Sequence, residues 1–281
     1  MNTLIFYCYC ETEQTKRNLQ YFVDCGLYEN TTCFYVFIIN NNTCSVNIPN
    51  YSNVCILKRV ENCLDLPTYK FAIDHLEQNR LIKLEDFKYY YFINSSCIGP
   101  FIPCWCENKW YEILNNKLNV YSLIGPIIEI PPDSSGLSYL GIHTGKNIPF
   151  IHSYMFGVNK DGFNIIKNLM PGANVSREEN VYVIERILTS ALLVKGLKVS
   201  SLLTKYKNID WNNELNWNRH LWTHSGATCH EIPGNYDGID VNPYEIIFVK
   251  NIRNSNATRT ESHSGISDVL KKTLDKYIMW K

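Results

Sequence analysis

Four short segments carry side chains suited to holding a diphosphate and a polyol. The first, Arg59-Val60-Glu61-Asn62-Cys63-Leu64-Asp65, places a guanidinium, an amide and a carboxylate within seven residues. Together these can bind ribose hydroxyls, a base edge or a phosphate. The second, Asn94-Ser95-Ser96 followed by Gly99-Pro100-Phe101, puts small polar groups where a ligand can approach closely. The third is His152-Ser153, with Asp161 a few residues on, and the fourth is Glu185 near the start of a long helical stretch. A carboxylate in that position can take the proton from an acceptor hydroxyl. Tyr9 and Glu11 near the start of the chain, and Lys250 and Arg253 near its end, add further polar contacts. Each segment alone fits a blander reading: a charged surface loop, a plain turn, a hydrogen-bonded core histidine, an exposed helical glutamate.

These segments acquire meaning from the elements around them. Thr3–Cys10, Phe34–Ile39, Val54–Leu57 and Tyr89–Ile93 are apolar, β-prone runs, and helical stretches are expected over 15–25 and 68–78 between them. Buried strands alternating with helices predict a mostly parallel sheet covered on both faces. In such sheets ligands bind beyond the carboxyl ends of the strands, so the loops after Cys10, Leu57 and Ile93 are the places to look. Further along, 110–117 reads as a helix and Pro131-Pro132-Asp133-Ser134-Ser135-Gly136 as a surface loop. Phe150–Val158 is read as one strand, 161–169 and 179–195 as helices, the latter closed by Gly196, and Tyr244–Lys250 as a final strand. The segment 254–267 is polar, and a short helix is expected after it. With no repeat or linker, 1–281 reads as a single domain, 1–125 forming its nucleotide-sugar half and 126–281 its acceptor and catalytic half.

Composition narrows the field. The 281 residues carry 27 Lys+Arg against 27 Asp+Glu, so there is no basic excess for nucleic acid or an acidic membrane. The 19 tyrosines and 6 tryptophans suit sugar stacking but equally fill a core. Eleven cysteines are scattered along the chain; Cys8-Tyr9-Cys10 and Cys104-Trp105-Cys106 lack the second pair that a zinc site of this kind needs. Reduced, buried thiols in a cytoplasmic protein are therefore expected. Leu4–Cys8 is short, lacks a basic flank and runs into Glu11 and Glu13, unlike a signal peptide. No run reaches the ~20 apolar residues of a membrane span.

In order and spacing the segments resemble a family of GT-A-like glycosyltransferases found in algae, plants, bacteria and large algal viruses. Its members read roughly Y-C-Y-E-T, R-E-N-x-G-x-D-x-G, F-x-N-S-S-x-x-G-P-F, H-x-Q-S, E-x-x-x-S/T-x-x-L…G and P-x-E-x-x-F-V-K-x-x-R. This chain supplies Tyr7-Cys8-Tyr9-Cys10-Glu11-Thr12, 59–65, 92–101, His152-Ser153, 185–196 and 243–253. In size and content it is most similar to the small chlorovirus transferases that build capsid N-glycans. That resemblance implies a UDP-sugar donor, UDP-xylose with a fucose acceptor on an oligosaccharide or glycoprotein, and a host-cytoplasm location. It further implies that Tyr9, Glu11, Arg59, Asn62, Asp65, Asn94, Ser95, Ser96, Ser153, Lys250 and Arg253 bind the donor. Glu185, with His152 and Asp161 as alternatives, would serve an inverting reaction.

The chain departs from the pattern where chemistry is at stake. The family's glycines after R-E-N are Cys63 and Pro67 here, and no D-x-D follows Tyr89–Ile93. A D-x-D normally holds Mn²⁺ or Mg²⁺ against the diphosphate, so the need for a metal is left open. Lys250 and Arg253 offer another way to neutralise the leaving group. Two rivals stand beside this reading: a non-catalytic carbohydrate-binding or host-interaction protein on the same fold, and a nucleotidyltransferase, which would need paired acidic metal ligands.

Overall fold

The computed structural model describes residues 1–60, 64–131, 147–177, 179–223, 228–230 and 232–251. Strands β1 (Thr3–Tyr9), β2 (Cys33–Asn40), β3 (Val54–Arg59) and β4 (Tyr89–Asn94) form the first half of a seven-stranded sheet. β5 (Cys97–Ile98) lies apart from it, and β6 (Leu123–Gly125), β9 (Met155–Asn159) and β10 (Val199–Ser201) complete it in the order β10-β6-β9-β4-β1-β2-β3. All neighbours run parallel except β9, which is antiparallel to both β4 and β6. The sheet is thus the mostly parallel, helix-flanked α/β sheet expected of a GT-A-like domain, and it draws strands from both sides of residue 125.

Side-chain alternation divides the core between two faces. Leu4, Phe6 and Cys8 of β1 point to one face, which α2 (Asp65–Gln78), α4 (Lys160–Ile166) and α5 (Glu185–Val194) cover. Ile5, Tyr7 and Tyr9 point to the other, against α1 (Glu13–Cys25) and α3 (Trp110–Leu118). The aromatic excess is spent mainly here: Phe92 stacks on Phe6 at 5.1 Å and on Phe156 at 4.7 Å. Trp105, 80% exposed, is the exception among the described residues.

Several elements differ from the sequence reading. α2 starts at Asp65 rather than Thr68, because Pro67 sits in the first turn, where a missing N–H costs nothing. The run 150–158 is not one strand. Its first part, β8 (Phe150–Ile151), pairs with β7 (Ile128–Glu129) in a separate ribbon, and β9 begins only at Met155. The long helix opens with a π-helical turn, Glu179–Ile184, before α5, and Gly196 beyond it takes φ +71°. The expected last strand begins instead with the short helix α6 (Pro243–Ile246): Asn242 accepts from the Tyr244 N–H at 3.0 Å and Pro243 is preset at the first helical position. Only Val249–Lys250 is strand, β11, pairing antiparallel with β5. The 254–267 segment, the helix expected after it and most of the 131–136 loop lie outside the described residues. Among the described residues nine cysteines are reduced, among them exposed Cys104, but Cys10 is in a disulfide, which corrects the expectation of reduced, buried thiols.

Candidate functional site

β1 leads outward to β2 and β3 on one side, and the chain then crosses to β4 on the other. The carboxyl ends of β1 and β4 therefore flank a topological switch point, the place where open α/β sheets bind ligands. The Asn94-Ser95-Ser96 turn closes this gap. The Ser95 N–H donates to the Cys8 carbonyl at 2.9 Å, and Asn18 of α1 donates to the Ser95 carbonyl at 2.8 Å. Asn18 also exchanges side-chain hydrogen bonds of 2.8 Å with Asn251, just after β11. The turn is thereby tied to both the first helix and the last strand.

Beside it, Asp65 is the hub. One carboxylate oxygen accepts from Asn94 Nδ2 at 2.8 Å and from Ser153 Oγ at 2.7 Å; the other accepts from Asn180 Nδ2 at 3.0 Å and the Leu66 N–H at 2.9 Å. Ser153 faces a second carboxylate as well, since its backbone N–H donates to Glu185 Oε1. Glu185 is 5% exposed, and burial raises its pKa from the ordinary carboxyl value, with His152 and Lys250 pulling it back down and the Asp65 charge pushing it up. Ser153 and Glu185 come together because the chain passes from the β7–β8 ribbon into the main sheet between Ile151 and Met155, which turns Ser153 toward the start of α5. His152 lies between two acids: its Nε2 is 2.8 Å from Glu129 Oε2 and its Nδ1 3.7 Å from Glu185 Oε1.

The other expected donor residues divide by role. Arg59, 5% exposed at the end of β3, donates to Thr68 Oγ1 at 3.1 Å, with its guanidinium 5.3 Å from the Phe71 ring centroid. Burial lowers its pKa. Thr68 also contacts Asn40 at 3.3 Å, so Arg59 is built into the wall around the β1 and β2 ends. Tyr9 is buried and donates to Glu11 at 3.3 Å; Glu11 accepts the Ser45 N–H at 2.6 Å, which pulls its pKa down and ties the loop after β2 to β1. Ser96 donates to Asn94 Oδ1. Lys250 projects its ammonium over the Tyr154 ring, 5.4 Å from the centroid. Asn62 and Arg253 lie outside the described residues.

Asp161 belongs elsewhere. It is exposed at the start of α4, and the register pairs Asn159 with Tyr89 at the opening of β4, five residues from the Asn94 end. The structure thus does not bring Asp161 together with Asp65, Ser153 and Glu185 at the switch point. The sequence reading also passed over Asn180, Glu129, Cys229, Asn18 and Asn251. Only Asn18 and Asn180, polar residues inside helical stretches, left any local signal.

A Mn²⁺ or Mg²⁺ ion of the kind the GT-A resemblance suggests needs carboxylate oxygens. At the end of β4 the side chains are instead an amide and two hydroxyls, and the Asn94 amide is already committed to Asp65 and Ser96. This set does not fit a hard cation. The metal-compatible group among the described residues is Glu129, His152 and Cys229, whose ligand atoms lie within 4.8 Å of one another.

No protein-family model matches the sequence, and no curated protein matches it. Among solved structures, it is similar to a protein from Desulfovibrio desulfuricans G20 provisionally assigned as a nucleotide-diphospho-sugar transferase, with 13% identity and a TM-score of 0.39 over 71% of this chain and 78% of the other.

Proposed function

We propose that the chain is an inverting glycosyltransferase that moves a sugar from a nucleoside diphosphate to a carbohydrate hydroxyl. The observation that carries this reading is the pair of carboxylates, Asp65 and Glu185, bridged by Ser153 beside the switch point. Asp65, oriented by neutral donors on both oxygens, is suited to accept hydrogen bonds from donor hydroxyls. Glu185 is the general base. Both of its close contacts, to the Ser153 N–H and the His152 ring, fall on Oε1, which leaves Oε2 to receive the proton. The acceptor oxygen attacks the anomeric carbon, its proton passes to Glu185, and the bond from that carbon to the diphosphate oxygen breaks on the opposite face. Lys250, which reaches over Tyr154 toward Glu185, neutralises the departing diphosphate.

The motif resemblance supports the finer identity: UDP-xylose as donor and fucose of an N-glycan as acceptor. The test is to incubate the protein with a panel of UDP-sugars and a fucose-bearing glycan and to weigh the product. A gain of one pentose with UDP-xylose is expected. No transfer from any donor, together with no thermal stabilisation by any nucleoside diphosphate, overturns the reading in favour of a non-catalytic carbohydrate-binding protein.

A further inference from the structure

One wall of the site carries a donor set of different chemistry. Glu129 ends β7, His152 follows β8 directly, and the two strands pair through Ile128–Ile151 and Glu129–Phe150. The third member, Cys229, comes from a distant segment pinned to the same ribbon. Thr228 Oγ1 accepts from the Ile130 N–H and donates to the Ile130 carbonyl, both at 2.9 Å. On the other side of Cys229, buried His230 is fixed by Tyr206 Oη at 2.6 Å and by the Asn235 carbonyl at 3.0 Å. The reduced Cys229 thiol is thus held between two anchored neighbours and presented to Glu129 and His152.

We propose that Glu129 Oε, His152 Nε2 and Cys229 Sγ form a zinc site. A sulfur, an imidazole nitrogen and one carboxylate oxygen suit a borderline-soft, tetrahedral ion, whereas Mg²⁺, Ca²⁺ and Mn²⁺ favour oxygen-rich sets. Ligands bound at 2.0–2.3 Å around a tetrahedral centre sit roughly 3.3–3.6 Å apart. The present separations, from 2.8 Å for His152–Glu129 up to the 4.8 Å limit of the group, reach that geometry with changes of about 0.5 to 1.5 Å in the separations. Zinc-binding histidines are commonly oriented by a carboxylate at the second ring nitrogen. Glu185 occupies that position, 3.7 Å from Nδ1 and itself fixed by the Ser153 N–H. Three protein ligands leave a fourth position for water or another ligand. By joining the 228–230 segment to the β7–β8 ribbon, the ion would close the wall of the site. This inference does not depend on the transferase reading.

The full chain, carrying Cys104→Ser and Cys106→Ser to remove competing surface thiols, is stripped with chelator, dialysed against Zn²⁺, Mg²⁺ or Mn²⁺, and analysed for bound metal. One equivalent of zinc, no retained magnesium, and a higher melting temperature with zinc alone are expected. Cobalt loading should give thiolate-to-metal charge-transfer absorption, a readout that needs no further variant. Adding Cys229→Ser should abolish that band and weaken zinc binding by more than the roughly 10–100-fold typical of losing an outer-shell partner. Glu129→Gln should weaken zinc binding while retaining the sulfur band. Substoichiometric zinc, a cobalt spectrum without the sulfur band, or zinc affinity unchanged by Cys229→Ser would each overturn the proposal.

Discussion

Asp65→Asn keeps shape and volume and changes one acceptor oxygen into a donor. In the wild type four donors converge on the carboxylate: Asn94, Ser153, Asn180 and the Leu66 N–H. The new amide can face the Asn180 side, where Asn180 can flip to offer its Oδ1, which has no hydrogen-bond partner; the Leu66 N–H then still meets a donor. Alternatively it faces Ser153, whose hydroxyl can rotate. Asn94 cannot follow, because its Oδ1 accepts the Ser96 N–H at 3.0 Å. Either way one buried donor loses its partner, and the remaining bonds lose their charge assistance. A buried donor left unsatisfied costs about 1–3 kcal/mol and bonds to charged groups are worth about 1.5–3, so a loss of roughly 3–5 kcal/mol is expected. At about 2–4 °C per kcal/mol for a large domain, the melting temperature should fall by roughly 6–20 °C. Scanning calorimetry of wild type and variant, with urea melts as a check on two-state behaviour, measures this. A melting temperature within two or three degrees of wild type would refute the claim that Asp65 organises the site.

Glu185→Gln should leave UDP affinity near wild type and lower the transfer rate by about 10²–10⁴, the usual worth of a positioned base; steady-state assays on the best donor check this, and near-normal turnover would place the base elsewhere. Asp161→Asn, by contrast, should change neither rate nor stability beyond about 0.5 kcal/mol, because Asp161 is exposed on the far edge. Gly157→Ala should destabilise by about 1–3 kcal/mol through overpacking, read in a denaturant melt. Its Cβ would lie 2.4 Å from Tyr91 Cε1, and that ring is held by Asn115 at 2.7 Å.

What the sequence made legible follows from where its information is local. β1, β2 and β4 are buried on both faces, so they appear as unbroken apolar runs, and their alternation with helices points to the parallel sheet. The turns at Asn94 and Arg59 could be located because they follow those strands. The break between β8 and β9 was hidden, since 150–158 is apolar apart from His152-Ser153 and the force that bends it is contact with Asp65, Glu129 and Glu185. Those partners lie 88, 23 and 32 residues away along the chain. Cys229 was invisible for the same reason, and Asn180 showed only as a polar residue inside a helical stretch: a single polar residue announces no ligand until distant segments meet. At 243–250 the local signal was present but misread, because Asn242-Pro243 is a helix start and the apolar content of the residues that follow outweighed it.

The central claim is that a nucleotide sugar binds at the carboxyl ends of β1 and β4. A crystal of the wild-type protein soaked with UDP tests it most directly. The expected result is density for the nucleotide across the gap closed by Asn94-Ser95-Ser96, with the diphosphate within reach of Lys250 and the sugar side facing Asp65 and Glu185. Nucleotide bound on the opposite edge of the sheet near Asp161, or no bound nucleotide at saturating concentration, would contradict it.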